Sequence, residues 1–179
     1  SDTGNHIRRV CHFSHMLAEA AKLRPVLIQS IFRNASLHDV GKVATPDSIL
    51  KKEGKLTSTE MHEMKKHTLH GYRLLKEARA DEVACNIALY HHEKWDGSGY
   101  PEGLVGEKIP ESARIVAIAD VYDALSHPRL YRAAHPEEES LSIMKDGRGK
   151  HFDPKIFDCF LDLIPELHRL RDQVAEGSR

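Results

Sequence analysis

The sequence predicts an all-α protein that folds as one domain. Apolar residues recur with the 3.6-residue period of a helix in almost every segment. The run Thr57-Ser58-Thr59-Glu60 matches the capping box that opens helices. At 179 residues, the chain can bury roughly 70% of its unfolded surface in a single core. We find no internal repeat and no second domain boundary, so residues 1–179 are assigned to one domain.

The composition argues against several classes of function. The net charge of −1 gives no overall field to attract a nucleic acid polymer or an anionic membrane. No apolar run approaches the roughly 20 residues of a membrane span, so we expect no membrane insertion, and the first residues are not a signal peptide. The three cysteines are odd in number and far apart. This argues against a disulfide framework or a thiolate zinc site and indicates a cytoplasmic protein.

Histidine is the unusual residue type, with 13 copies, and it is the commonest metal ligand among side chains. The first helix is predicted from residue 3 to about residue 23. His6 extends its apolar stripe by one turn and is therefore a candidate ligand. The stripe itself consists of Val10, Phe13, Leu17 and Ala20.

The second helix is predicted to begin after Pro25, which suits a first helical turn. It delivers His38 and Asp39 near its C-terminal end, and Gly41 is interpreted as the helix stop. An imidazole beside a carboxylate, followed by the charge of Lys42, suits a divalent metal with a phosphate next to it.

A third long helix is predicted from the capping box at Thr57 to about Ala80. Its periodicity places His67 on the apolar face and His70 on the solvated face. Gly71 in the middle of the helix is unfavourable by about 1 kcal/mol relative to alanine, which fits either a close approach at a site or plain packing.

The C-terminal half is also predicted to be helical. A helix over residues 81–90 ends in His91-His92, followed by a loop rich in turn-forming residues. In the helix over residues 114–125, Asp120 interrupts an apolar run, where a carboxylate is unfavourable unless it is paired or bound to metal. Asp123, one turn further on, is predicted to support the site. Further helices are expected from about residues 136, 155 and 165.

These faces and turns bring together five imidazoles and two carboxylates as predicted metal ligands. They are His6, His38, Asp39, His67, His91, His92 and Asp120. Asp39 is predicted to bridge two metals, with a metal-bridging hydroxide attacking a phosphodiester. Such nitrogen and oxygen ligands suit iron, manganese, zinc or nickel. Lys42, Arg129 and Arg132 are predicted to neutralise the phosphate oxygens.

Several motifs resemble the HD-GYP branch of the HD phosphohydrolase superfamily. The match spans the first residues to about residue 160 and also includes the opening Thr3-Gly4-Asn5-His6-Ile7-x-Arg9-Val10. In order, the main motifs are His38-Asp39-x-Gly41-Lys42, His91-His92-Glu93-x-x-Asp96-Gly97-Ser98-Gly99-Tyr100-Pro101, the run Ile118-Ala119-Asp120-Val121-Tyr122-Asp123-Ala124-Leu125, and Phe152-Asp153-Pro154.

The resemblance implies a single HD-type helical domain with a bi- or trinuclear metal site between helices, with iron or manganese favoured and nickel or zinc as alternatives. It implies hydrolysis of cyclic di-GMP to linear pGpG and in some members onward to GMP, with Asp39 and Lys42 as catalytic residues. The same seven metal ligands follow from the motifs. Tyr100, Arg129 and Arg132 match positions that line the substrate pocket.

The sequence departs from the family pattern at two places. Members with a third metal usually have a glutamate four residues before the first histidine, where this chain has Asp2, the candidate ligand for a third metal. The family's Arg-Pro-Tyr-Lys appears as Arg129-Leu130-Tyr131-Arg132, which keeps the charge but loses the rigid proline.

Three alternatives stay open at this point. The first is a phosphodiesterase that prefers 3′,3′-cyclic GMP-AMP. The second is a catalytically weak cyclic dinucleotide receptor that contacts a protein partner through the Gly97–Tyr100 loop, and the third is a diiron oxygenase. The resemblance also implies that the domain is the output module of a longer signalling protein.

Overall fold

The computed structural model describes residues 2–127 and 134–176, and this part of the chain contains nine α-helices. That part holds no β-strand, only two isolated bridges between Asp96 and Val105 and between Arg148 and Phe152. The predicted all-α class is therefore confirmed. The helices are α1 Asp2–Ala20, α2 Pro25–Asn34, α3 Asp47–Leu50, α4 Ser58–Lys65, α5 His67–Glu77, α6 Glu82–Tyr90, α7 Glu111–Ser126, α8 Glu137–Asp146 and α9 Pro154–Glu176.

The main core forms where α1 packs against α2, α7 and α9. Helix α7 is buried on most of its circumference, which explains its nearly continuous apolar sequence. Burying these side chains provides the largest favourable contribution to folding, about 25 cal/mol for each Å² removed from water. The largest buried apolar residues of this core include Phe13, Leu17, Ile31, Ile115, Ile118, Tyr122, Phe157 and Phe160. No helix in the described ranges is long and apolar enough to cross a membrane.

The His38-Asp39 pair does not lie at a helix end as predicted. Helix α2 ends at Asn34, and a 3₁₀ turn over Ala35–Leu37 leads to the pair. Gly41 does not stop a helix either, because it lies inside a second 3₁₀ turn, Val40–Ala44. A Cβ atom on Gly41 would collide with the His67 carbonyl oxygen and the Gly71 amide nitrogen. Glycine is required there because the turn crosses α5 in backbone contact, and this crossing places Asp39 beside His67.

The helix predicted from Thr57 to Ala80 is two helices, α4 and α5, separated at Lys66. Its predicted capping box is present, with Thr57 and Glu60 exchanging hydrogen bonds. The interruption has a local cause that periodicity does not reveal. His67 Nδ1 donates a hydrogen bond to the Met64 carbonyl oxygen, and the Thr68 hydroxyl donates one to the Lys65 carbonyl oxygen. These side chains therefore compete with backbone N–H groups for the carbonyl acceptors of the helix.

The two helices predicted from about residues 155 and 165 are one helix, α9, with Pro165 in its interior. Pro165 is exposed to solvent. Water can therefore replace the hydrogen bond that proline removes from a helix.

Candidate metal centre

The predicted ligands form two adjacent groups of side chains. The first, called the Asp39 group, contains Asp39, His67, His91 and His92, and the second, called the His6 group, contains His6, His38 and Asp120. Within each group, one nitrogen or oxygen atom per residue lies within 4.8 Å of all the others. The groups meet at His38, whose Nε2 is 3.5 Å from Asp39 Oδ2 and 3.9 Å from Asp120 Oδ1. The structure thus brings all seven predicted residues together.

Three of the imidazoles are oriented by backbone carbonyl oxygens. The Nδ1 atoms of His38, His67 and His91 lie 2.7, 2.8 and 2.9 Å from carbonyl oxygens of Ala35, Met64 and Ile87. A carbonyl oxygen can only accept, so each Nδ1 donates, and Nε2 points toward the cluster. This is the arrangement in which imidazoles bind metals.

Four buried atoms at the centre of the cluster have no hydrogen-bond partner in the described part of the chain. They are His38 Nε2, Asp39 Oδ1, His67 Nε2 and His91 Nε2. Buried polar atoms are almost always satisfied, so an unpaired set with converging lone pairs requires a partner of another kind. A divalent cation fits, because imidazole nitrogens and a carboxylate oxygen are ligands that transition metals accept.

Asp39 faces both groups. Its Oδ1 is 3.3 Å from His67 Nε2 and 3.7 Å from His91 Nε2, whereas its Oδ2 faces His38 and accepts a 2.6 Å hydrogen bond from Lys42. Burial alone would raise the pKa of the carboxyl group, but the neighbouring imidazoles and Lys42 outweigh it and hold the pKa well below its usual range. Asp39 is therefore an ionised carboxylate positioned between two candidate metal positions.

The imidazoles differ in their protonation. Burial lowers the pKa of His38, but the carboxylates of Asp39 and Asp120 outweigh burial and raise it from 6.5 to about 9. Burial lowers the pKa of His67 to about 4. Burial and the charge of neighbouring histidines also lower the pKa of His92. His67 and His92 are thus neutral nitrogen ligands, whereas His38 must give up a proton to bind a cation.

Tyr100, predicted to line the substrate pocket, lies against the Asp39 group. Its ring stacks on His92 at 4.9 Å between centroids, and burial raises the pKa of its hydroxyl. The Lys65 ammonium lies 4.9 Å from the centre of the same ring. The sequence did not single out Lys65, because its position in the helix gives no sign of the contact with Tyr100.

The loop that carries Tyr100 is held by a buried carboxylate. Glu93 accepts hydrogen bonds from the backbone N–H groups of Glu102, Gly103 and Leu104 at 2.7, 3.1 and 3.0 Å. Gly99 fits tightly against the backbone of residues 92–94. In the predicted partner loop, Gly97–Tyr100, only Ser98 is exposed and the other three residues are half-buried. The loop is thus more enclosed than the sequence indicated.

His6 is oriented by a side chain. Its Nδ1 lies 2.7 Å from Asp123 Oδ2, and Arg9 binds both oxygens of the same carboxylate. Asp123 thus lies where the sequence predicted a supporting residue. Arg9 belongs to the opening motif, but its contact with Asp123 was not predicted. The side chain of Asp120 is partly exposed, at 18%, rather than enclosed in the core.

Arg129 and Arg132 lie outside the described residues. The backbone of Asp2 begins α1, but its side chain is also outside the described part.

Comparisons with known proteins show the family and its relatives. The HD domain family matches residues 2–156. The cyclic di-GMP phosphodiesterase response regulator RpfG of Xanthomonas campestris is 44% identical over 98% of this chain. The 3′3′-cGAMP-specific phosphodiesterase 2 of Vibrio cholerae is 43% identical, also over 98% of the chain. The chain spans 47% and 34% of the lengths of these curated relatives.

A solved structure of a cyclic GMP-AMP specific phosphodiesterase from V. cholerae has the same fold. It superposes with a TM-score of 0.72 at 20% sequence identity, covering 95% of this chain and 48% of that one. At this level of identity the likeness establishes the helical architecture alone.

Proposed function

The chain belongs to the HD domain family, and we propose that it is a metal-dependent phosphodiesterase that opens cyclic di-GMP to linear pGpG, with further hydrolysis to GMP as a second step. The observation that carries the proposal is the set of four buried, unpaired donor atoms converging between the two ligand groups. The name of the relative at 44% identity supports the cyclic dinucleotide as substrate.

We propose a binuclear site with iron or manganese, nickel or zinc being chemically possible. His67, His91 and His92 would hold one cation, His6, His38 and Asp120 the other, and Asp39 would join them. Asp2 is the candidate ligand of a third cation. When bound, the cations acidify a water molecule and stabilise negative charge on the phosphoryl group.

The residues of the chain perform the remaining work. In hydrolysis, the oxygen of water forms a bond to phosphorus, the bond between phosphorus and the 3′-oxygen breaks, and that oxygen takes up a proton. The Lys42 ammonium, 2.6 Å from Asp39, has two further N–H bonds for phosphate oxygens. The Tyr100 ring offers an aromatic face on which a guanine ring can stack. Arg129 and Arg132 are proposed to bind the phosphates by analogy with the family.

The experiment is a comparison of metal-loaded forms. Protein stripped with a chelator is reloaded with Fe²⁺, Mn²⁺ or Ni²⁺, assayed for metal content, and incubated with cyclic di-GMP under conditions that keep iron reduced. We expect pGpG as the first product. A fully loaded chain that produces no linear dinucleotide with any of these metals would contradict the proposal.

A preference for 3′,3′-cyclic GMP-AMP is the second candidate, because a relative of 43% identity carries that activity in its name. The ratio of kcat/KM for the two cyclic dinucleotides decides between them. A receptor role, with a protein partner at the Gly97–Tyr100 loop, predicts that signalling in cells survives combined substitution of His38 and Asp39 by alanine. An enzyme that signals by removing its substrate predicts that this variant loses signalling.

A further inference from the structure

Asp123 is a buried carboxylate that contacts a predicted metal ligand without belonging to either ligand group. Its side chain is 2% exposed. Its two oxygens receive His6 Nδ1 at 2.7 Å, both Nε and an Nη of Arg9, and His127 Nδ1 at 3.2 Å. His6 is the imidazole in the cluster whose orientation depends on a side chain more than 110 positions away in sequence.

Arg9 fixes this carboxylate in one position. The guanidinium is itself buried and binds Asp123 through two of its nitrogens, a planar contact that allows little rotation. Arg9 lies three residues after His6, nearly one turn further along α1, so both face α7.

The charge state of Asp123 determines the tautomer of His6. The Arg9 guanidinium can only donate hydrogen bonds, so both oxygens of Asp123 act as acceptors. An ionised carboxylate only accepts hydrogen bonds, so His6 Nδ1 must donate, and its Nε2 lone pair faces Asp120 at 3.7 Å. A carboxylate behind an imidazole also increases its basicity as a ligand.

We propose that Asp123, held in place by Arg9, is the positioning residue that orients His6 as a metal ligand, so that the His6 group binds its cation with full affinity only when this pair is intact. The inference rests on the proposed metal site. Replacing Asp123 with asparagine would put an N–H₂ group against either Arg9 or His6, where an acceptor is needed. His6 would then lose its fixed tautomer, whereas the carbonyl-bound His67 and His91 would keep theirs.

The test measures binding of Mn²⁺ alone, by equilibrium dialysis of chelator-treated protein. We expect Asp123→Asn to weaken the affinity for one of the two Mn²⁺ ions by about 10- to 100-fold, the usual effect of removing such a hydrogen-bond partner. The affinity for the other ion should be unchanged. His6→Ala should weaken binding of the same ion as Asp123→Asn. Adding Asp123→Asn to His6→Ala should have no further effect, because the pathway through His6 is already lost.

A matched control is available in Asp153. It is also a buried carboxylate paired with an arginine, Arg114 at 2.6 Å, but its other side-chain hydrogen bonds go to the backbone at the start of α9. Asp153→Asn should lower stability and leave both Mn²⁺ affinities at the wild-type value. If Asp123→Asn does not fold, Arg9→Lys tests the same inference, because it keeps the positive charge and loses the two-nitrogen contact with Asp123. We expect it to weaken binding of the same ion.

Wild-type Mn²⁺ affinities in the folded Asp123→Asn or, failing that, the Arg9→Lys variant would overturn the inference. The inference would also be overturned if adding Asp123→Asn to His6→Ala weakened Mn²⁺ binding as much as Asp123→Asn does alone. A wild-type chain that binds no Mn²⁺ overturns both this inference and the metal site on which it rests. A chain that binds Mn²⁺ but cleaves no cyclic dinucleotide contradicts the proposed function alone.

Discussion

The two halves of the candidate metal centre are held in place by different means. In the Asp39 group, His67 and His91 are about 1% exposed or less and their rings are tied to carbonyl oxygens within their own helical segments. In the His6 group, His6 and Asp120 are each 18% exposed, and His6 depends on the distant pair Asp123 and Arg9. His38 connects the two halves. It belongs to the His6 group by position, but its ring is oriented by a backbone carbonyl oxygen, as in the Asp39 group.

This difference determines which substitutions disturb each half. A tether to a backbone carbonyl survives any single side-chain substitution that leaves the local helix intact. A tether to a side chain is lost when that side chain changes. The Asp39 group should therefore respond to changes in backbone packing, and the His6 group to changes in individual side chains.

The largest effect is expected at Asp39, because it faces both halves. Asp39→Asn should reduce kcat about a thousandfold or more, since bound metals contribute several kcal/mol of transition-state stabilisation and about 1.4 kcal/mol corresponds to a factor of ten. It should also lower the content of both metals. Steady-state kinetics and elemental analysis of the purified variant measure these effects.

Asp120→Asn is the matched comparison, because Asp120 contacts His6 and His38 and belongs to the His6 group. It should lower the occupancy of one metal more than the other. Equal metal losses in the two variants would show that the halves are not independent sites.

Gly41→Ala tests whether backbone packing holds the Asp39 group. The new methyl group would collide with the backbone of α5 at His67 and Gly71, which cannot move as a side chain can. Overpacking typically destabilises by about 1–3 kcal/mol, and a collision with backbone atoms belongs at the upper end of that range. We expect a lower Tm in thermal unfolding and weakened metal binding in the Asp39 group, with the His6 group retained.

Gly71→Ala, on the other side of the same crossing, should have a smaller effect. Its Cβ would meet the Gly41 nitrogen at 3.2 Å and the Ala88 Cβ at 3.4 Å, so small shifts can relieve the contact. A Gly71→Ala variant less stable than Gly41→Ala would contradict this account of the crossing.

The sequence predicted the membership of the cluster better than its support. Helix periodicity correctly turned His67 inward. An isolated carboxylate in an apolar run singled out Asp120, which lies beside His6 and His38 although its side chain is 18% exposed. Such signals are local, because burial of one face of a helix is written into the spacing of its residues. They also explain why the all-α class was predictable.

What the sequence did not reveal depends on contacts between distant segments. Nothing around Arg9 indicates that Asp123 will be its partner, since the two are 114 positions apart. Gly41 reads as a helix stop until the crossing with α5 is known. The interruption at Lys66 arises from His67 and Thr68 bonding backbone acceptors, which the apolar pattern does not reveal.

The pH dependence of the metal-free protein should report on His38, the residue that connects the halves. The folded-state pKa of His38, about 9, lies above its ordinary 6.5, so protonated His38 stabilises the fold fully below about pH 6.5. This stabilisation should disappear as the pH rises through about 9. Denaturant unfolding of chelator-treated protein between pH 6.5 and 9 measures it, and Asp39→Asn should flatten the curve. An unchanged slope in that variant would assign the effect to another group.

The smallest effect is expected at the rim of the Asp39 group, where Lys65 lies over the Tyr100 ring. An exposed cation–π contact contributes about 0.5–1 kcal/mol, so Lys65→Met should loosen the ring and raise KM for cyclic di-GMP about two- to fivefold with kcat unchanged. Lys66→Met is the control, because the neighbouring Lys66 is paired with Glu63 instead. Equal KM values for the two variants would mean that Lys65 does not hold Tyr100 for substrate. A fall in kcat with Lys65→Met would instead place its influence on the metal cluster through His92, whose ring lies 4.9 Å from that of Tyr100.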